Sequence, residues 1–133
     1  MKKSNRRFTI DNKWLRFADE DYNLIMYLWN KENRFNRTIC FHAQQFIEKV
    51  LKGILEGEDA NLPRIHDINA LVKKVEKCGI KVPLNENQIL FLSSVYIDTR
   101  YPPDVGLLLS GEPHKSDVEI AVNAVKKIKK WID

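Results

Sequence analysis

Glycine and proline are scarce, five of each in 133 residues, and most fall outside the stretches with helical periodicity. No run alternates apolar and polar residues with period two, so nothing reads as a half-buried strand. The two cysteines, Cys40 and Cys78, belong to no Cys-x-x-Cys or Cys/His spacing, which excludes a disulfide framework and a structural zinc site. Both lie in helical patterns and are expected as buried free thiols in a reducing compartment. No apolar run approaches the ~18 residues needed to span a membrane. Lys2, Lys3, Arg6 and Arg7 are followed only by Phe8-Thr9-Ile10 before charge returns, so a signal-peptide core is missing and a cytoplasmic protein is expected. A glycine-rich phosphate loop, a metal-ligand cluster and a Ser or Cys triad are also absent from the pattern. No metal and no cofactor is therefore expected.

What remains is ordinary globular material, 44% hydrophobic and 30% charged, enough to close one core. The sequence reads as a single domain over 1–133, with a core of about 12–132 and a basic, flexible lead-in over 1–10. Net charge is +4 and the pI is near 9.1. The excess gathers at the start and at Lys126, Lys127, Lys129 and Lys130 near the end. Cations there complement a helix C-terminus or touch RNA phosphates, and the solvated, dipole-complementing reading is the simpler one.

The periodicity predicts five helices. The first, capped by Asp11 or Asn12, runs to about Asn30 on a stripe of Trp14, Phe17, Ala18, Tyr22, Ile25, Leu28 and Trp29. The second runs from about Asn36 to Leu55, its apolar arc holding Ile39, Ala43, Ile47, Val50, Leu51 and Ile54. Phe41, Gln45, Glu48, Lys49 and Lys52 gather on its other side, and Gly57 is expected to close it. The third starts near His66 or Asp67 and stops at Gly79. Asn85-x-x-Gln88 reads as a capping box for a fourth helix to about Ile97, expected to be central because Leu90, Phe91, Leu92, Val95 and Tyr96 surround it. Residues 98 to 115 lose all periodicity, a long loop of the kind that often carries function. Ser116-x-x-Glu119 reads as the capping box of the fifth helix. The expected fold is all-α, a five-helix up-and-down bundle with a long loop before the last helix.

Four segments recur together in this order: Trp14 through Asp21; Gln44-Gln45-x-x-Glu48-Lys49-x-Leu51-Lys52; His66-Asp67-Ile68; and Tyr96 through Pro102, which opens Arg100-Tyr101-Pro102-Pro103-Asp104. As an ordered set they resemble the HEPN domain (higher eukaryotes and prokaryotes nucleotide-binding) over about residues 12 to 132. The resemblance implies a helical bundle, frequent homodimerisation, and pairing with a small nucleotidyltransferase partner in a toxin–antitoxin-like system.

The candidate site residues follow from side-chain chemistry. Glu48 and Lys52 stand in the favoured i, i+4 order, and Gln45, Lys49 and Lys52 either hold a phosphate and a base edge or form a solvated helix face. Gln44, at the edge of the apolar arc, is equally suited to hydrogen bonding within the core. Asp67 is explained as a helix cap, which leaves His66 at a helix start suited to anions. Pro102 and Pro103 stiffen a segment that either presents Arg100 to phosphate and Tyr101 as a stacking face, or closes the bundle end with Arg100 paired to Asp104. Catalytically active relatives are expected to carry R-x4-6-H, a spacing that Arg37 and His42 satisfy. A chain with these arginines and histidines supplies roughly half such a match by chance, and five helical residues place the two side chains ~140° apart. The leading expectation is a module that binds nucleotide or RNA in a polar cleft. The alternatives are a metal-independent RNase using Arg37 and His42, and a non-catalytic dimeric adaptor.

Overall fold

The computed structural model describes residues 7–31, 35–95 and 112–133. It is all-α, with five helices: α1 (Asn12–Trp29), α2 (Asn36–Gly57), α3 (Ile68–Lys77), α4 (Glu86–Ser94) and α5 (Lys115–Ile132). Among the described residues there is no strand, and no helix is long and apolar enough to cross a membrane. Of the five, α2 alone packs against all four others. Ala43, Phe46, Ile47, Val50, Leu51 and Ile54 along it are fully buried, and α5 meets them with Ala121, Val122, Val125 and Ile128.

Local chemistry sets the helix starts. Asp11 accepts from the Lys13 and Trp14 amides, and Asp67 accepts from Asn69. Asn85 and Gln88 form the reciprocal capping box, each side chain accepting the other's backbone N–H. The fifth helix departs from expectation. It begins earlier, at Lys115, with His114 as N-cap and the Asp117 carboxylate accepting from the His114 amide at 2.8 Å, so Ser116 and Glu119 are not its box. Two spacings compete here, and the chain takes the one that brings Pro113 and Glu112 to the start of α2. Asn36 donates to the Pro113 carbonyl at 3.4 Å, and Arg37 pairs with Glu112 at 3.6 Å.

The end of α2 also differs. Gly57 is its last residue, and the left-handed position belongs to Asp59 (φ 57°). Asp59 donates to the Glu56 carbonyl and Ala60 to Leu55, which is the double closure of a Schellman motif with Asp in the glycine place. Gly57 instead lets the lead-in segment approach: a Cβ there would run into the Thr9 carbonyl. Nearby, Thr9 donates to Glu58, Asp11 donates to the Gly53 carbonyl, and Trp14 Nε1 donates to Glu56. Gly79 (φ 83°) terminates α3 as expected.

Two burial expectations are corrected. The fourth helix ends at Ser94 and is peripheral: Leu90 is 60% exposed, and only Gln88 and Leu92 are buried within it. Nine residues packed against α3 and α5 leave one side in water, and its unusually apolar composition hides that. Cys78 is exposed because it caps α3, whereas Cys40 is buried. Burial, helped by the nearby Asp117 carboxylate, pushes the Cys40 thiol up to about 12.

Gly57→Ala tests the close approach. Helix propensity alone favours alanine, yet the backbone carbonyl cannot move aside as a flexible side chain would. We expect a net loss of about 1–3 kcal/mol in denaturant unfolding. An unchanged or raised midpoint would show that the lead-in segment does not pack there.

Candidate functional site

Two buried carboxylates organise the polar side of α2. Asp21 comes from α1, where it interrupts an apolar stripe of Ala18, Ile25 and Leu28, and it is 6% exposed. Its Oδ1 lies 2.8 Å from His42 Nδ1, and its Oδ2 accepts from Lys49 Nζ at 2.6 Å. A carboxylate only accepts, so the imidazole donates from Nδ1 and its Nε2 is left without that partner. The edge of the Phe41–His42 ring pair, 5.1 Å between centroids, flanks the same imidazole.

The second carboxylate is Glu48, also 6% exposed. Its Oε2 lies 2.9 Å from His66 Nδ1 and accepts from Lys52 Nζ at 3.1 Å, while its Oε1 accepts from Gln44 Nε2 at 3.0 Å. Gln44 Nε2 also donates to the His66 carbonyl at 3.0 Å, and Gln44 Oε1 accepts from Gln45 Nε2 at 2.9 Å. Gln44 thus ties α2 to the residue just before the α3 cap, in the core role open to it from its place on the helix. Among the described residues no buried side-chain polar atom lacks a partner.

Glu48 and Lys52 pair as their spacing suggests, but the solvated face that was one alternative for Lys52 is not found. Both side chains are 8% exposed and form an enclosed ion pair. Surface i, i+4 pairs are worth a few tenths of a kcal/mol, whereas a buried charge deprived of its partner costs several. The heptad-like polar arc cannot reveal this, because it records which side faces away from the main core and not what covers that side.

Asp21 and Glu48 attach at different places round α2. His42 and Lys49 meet α1 on one flank, Gln44 and Glu48 meet the approach to α3 on the other, and Gln45 and Lys52 lie between. The carboxylates sit deep while the imidazoles reach outward. The His66 side chain is 64% exposed, and those of His42 and Lys49 are 26% exposed. The surface presented is one of imidazole edges and an ammonium, over hidden anions. Such a surface can donate hydrogen bonds to phosphate oxygens, and an imidazole fixed at Nδ1 can exchange a proton at Nε2.

His42, Gln45, Lys49, Lys52 and His66 are therefore gathered on or beside one strip of α2. Arg37 is not gathered with His42. It lies inside α2, in the first turn, so the ~140° offset of five helical residues applies, and it faces Glu112. Arg100, Tyr101 and Asp104 lie outside the described residues. Asp21 was missed as a site residue. The available signal was a carboxylate standing at helical spacing between Ala18 and Ile25, on the stripe that must face the core. No group of three or more His, Cys, Asp or Glu side chains is arranged to hold a metal among the described residues.

A five-helix bundle with one carboxylate-anchored imidazole on its central helix and a second on the approach to α3 defines an all-α domain with a polar strip between α1 and α3. The model of the HEPN domain family matches residues 12–133, and the chain belongs to that family. Among curated proteins and solved structures nothing matches. Membership supports a function related to nucleotides or RNA in general.

The enclosed ion pair gives a sharp stability test. Glu48→Leu leaves the Lys52 ammonium buried without its counter-ion and is expected to cost about 3–5 kcal/mol. Adding Lys52→Met should recover most of that loss in urea unfolding. A single variant costing less than about 1 kcal/mol would mean that Lys52 reaches water and the pair is not enclosed.

Proposed function

We propose that the chain binds a nucleotide or an RNA strand on the polar strip of α2, with His42, Lys49 and His66 donating to phosphate oxygens and Gln45 reading a base edge. The observation that carries this reading is the layering of charge: both carboxylates are buried, and the groups that reach solvent are imidazoles and a lysine. Lys52 supports the layer from beneath, through Glu48. Arg100, Tyr101 and Asp104 enter the proposal from the motif alone, as guanidinium, stacking ring and its acidic neighbour. The protein works in the cytoplasm beside a small nucleotidyltransferase, as one half of a toxin–antitoxin-like pair. It acts as a homodimer, for which the exposed Phe17, Leu24 and Tyr27 of α1 offer an apolar face.

Titration calorimetry with ATP and with short RNA oligomers tests the binding. Lys49→Ala and His66→Ala are each expected to weaken affinity about five- to tenfold, the loss of one charge-assisted hydrogen bond. Arg100→Ala should do the same. Absence of binding by the unaltered protein, or affinities unmoved by all three variants, would overturn the reading.

A second reading is favoured by one contact, the Asp21–His42 hydrogen bond. An imidazole held at Nδ1 is suited to take the proton of a ribose 2′-hydroxyl at Nε2. The 2′-oxygen then attacks the adjacent phosphorus, and the departing 5′-oxygen takes up a proton. Such an RNase needs no metal. Arg37 does not share the face of His42, so within one chain the phosphate would rest on Lys49. Cleavage of cellular RNA that persists in EDTA and is abolished by His42→Ala would support this activity; cleavage surviving in His42→Ala excludes it at this site.

A further inference from the structure

Well away from the polar strip, the connection from Lys81 to Asn85 and the last turns of α5 border an open groove of about 590 Å³. Its floor is apolar. Val82 is buried, Leu84 is half-buried, and the Trp131 ring packs against Phe8 with 4.6 Å between centroids. Its rim is cationic, formed by Lys81, Lys127 and Lys130, all exposed. Among the described residues no carboxylate lines the groove. Lys81 and Lys130 make no ion pair among the described residues, and Lys127 reaches only the Gln88 side chain, at 3.4 Å. Three like charges round one apolar trough repel one another, and an anionic partner relieves that repulsion.

We infer that this groove receives an acidic peptide segment of another protein, with an apolar side chain seated on Val82, Leu84 and Trp131 and flanking carboxylates on the three lysines. Charge complementarity sets the sign of the partner, and the floor sets its chemistry. A nucleic-acid base needs a free aromatic face to stack on or hydrogen-bonding groups at its edges. Of the groups lining the groove, the Trp131 ring is engaged by Phe8 and the Asn85 side-chain oxygen already accepts from Gln88 in the capping box. An aliphatic or aromatic side chain has no such need and gains by leaving water. The groove shares no residue with the α2 strip, so its occupant and the proposed nucleotide can bind together.

Fluorescence anisotropy of the full chain tests this with a labelled peptide of about 12 residues in which leucines are spaced among aspartates and glutamates. Three further probes accompany it: the same peptide with serine for leucine, the same with lysine for the acids, and an oligouridylate. The acidic leucine peptide should bind, weaken with salt, and lose at least about tenfold in affinity to Lys81→Glu/Lys130→Glu. Lys73→Glu/Lys74→Glu, the same charge change on α3, should leave it bound. Circular dichroism verifies that both double variants remain folded, as the exposure of all four lysines allows. Absence of binding, equal binding of the serine peptide, or indifference to Lys81→Glu/Lys130→Glu would overturn the inference. Oligouridylate held by the groove and released by that double variant would also overturn it, in favour of nucleic acid.

Discussion

The constraint on which the rest depends is that α2 must be buried on nearly every side while carrying charge. It touches every other helix, so its polar arc has little open water to face. Within about two and a half turns it nevertheless carries Gln44, Glu48, Lys49 and Lys52. An enclosed carboxylate or ammonium without a partner would be worth more in lost stability than most core contacts can return. The chain resolves this by bringing an opposite charge from a different helix or turn to each one. Asp21 of α1 answers Lys49 and His42, and Glu48 answers Lys52 and His66. The polar contacts therefore do more than decorate the bundle. They fix how α1 and the start of α3 sit against α2, because a half-made network is less stable than an apolar one.

This arrangement explains which parts of the molecule were legible in sequence. Caps act over two or three residues, so Asp11, Asp67 and the Asn85–Gln88 box announce themselves. Core stripes act through period alone, and the buried faces of α2 and α5 follow it. Features decided by distant chain are less visible. Nothing local tells that Asp59 takes the left-handed position and frees Gly57 to receive Thr9, nor that α5 starts from His114 rather than Ser116. The apolar residues of α4 look like a core helix until its neighbours are known, and Leu90 then proves to face water.

The site divides in the same way. His42, His66, Lys49 and Lys52 were named from chemistry and motif order, and so was the Glu48 partner of Lys52, but the carboxylate contacts that hold the two histidines and Lys49 were not. An imidazole is recognisable as a candidate by type, but its direction is set by the carboxylate that holds it. Here one carboxylate lies 21 residues upstream of its histidine, and the other stands 18 residues before its own. Arg37 and His42 show the converse. A spacing can be satisfied in sequence while the helix that carries it points the two side chains apart.

The two anchored imidazoles also bear on how such a chain can drift over generations. Asp21 serves Lys49 and His42 at once, so replacing it by a neutral residue strands two partners on another helix. Replacing Lys49 alone leaves His42 on the Asp21 carboxylate, so one contact is lost rather than two. The dependence is thus directional: the lysine or the histidine can change singly while the other still holds the aspartate, and Glu48 is locked behind Lys52, Gln44 and His66 together. Among descendants of this sequence, the two acids should be the slowest of these positions to change, and any lineage that loses one should have altered its dependants beforehand.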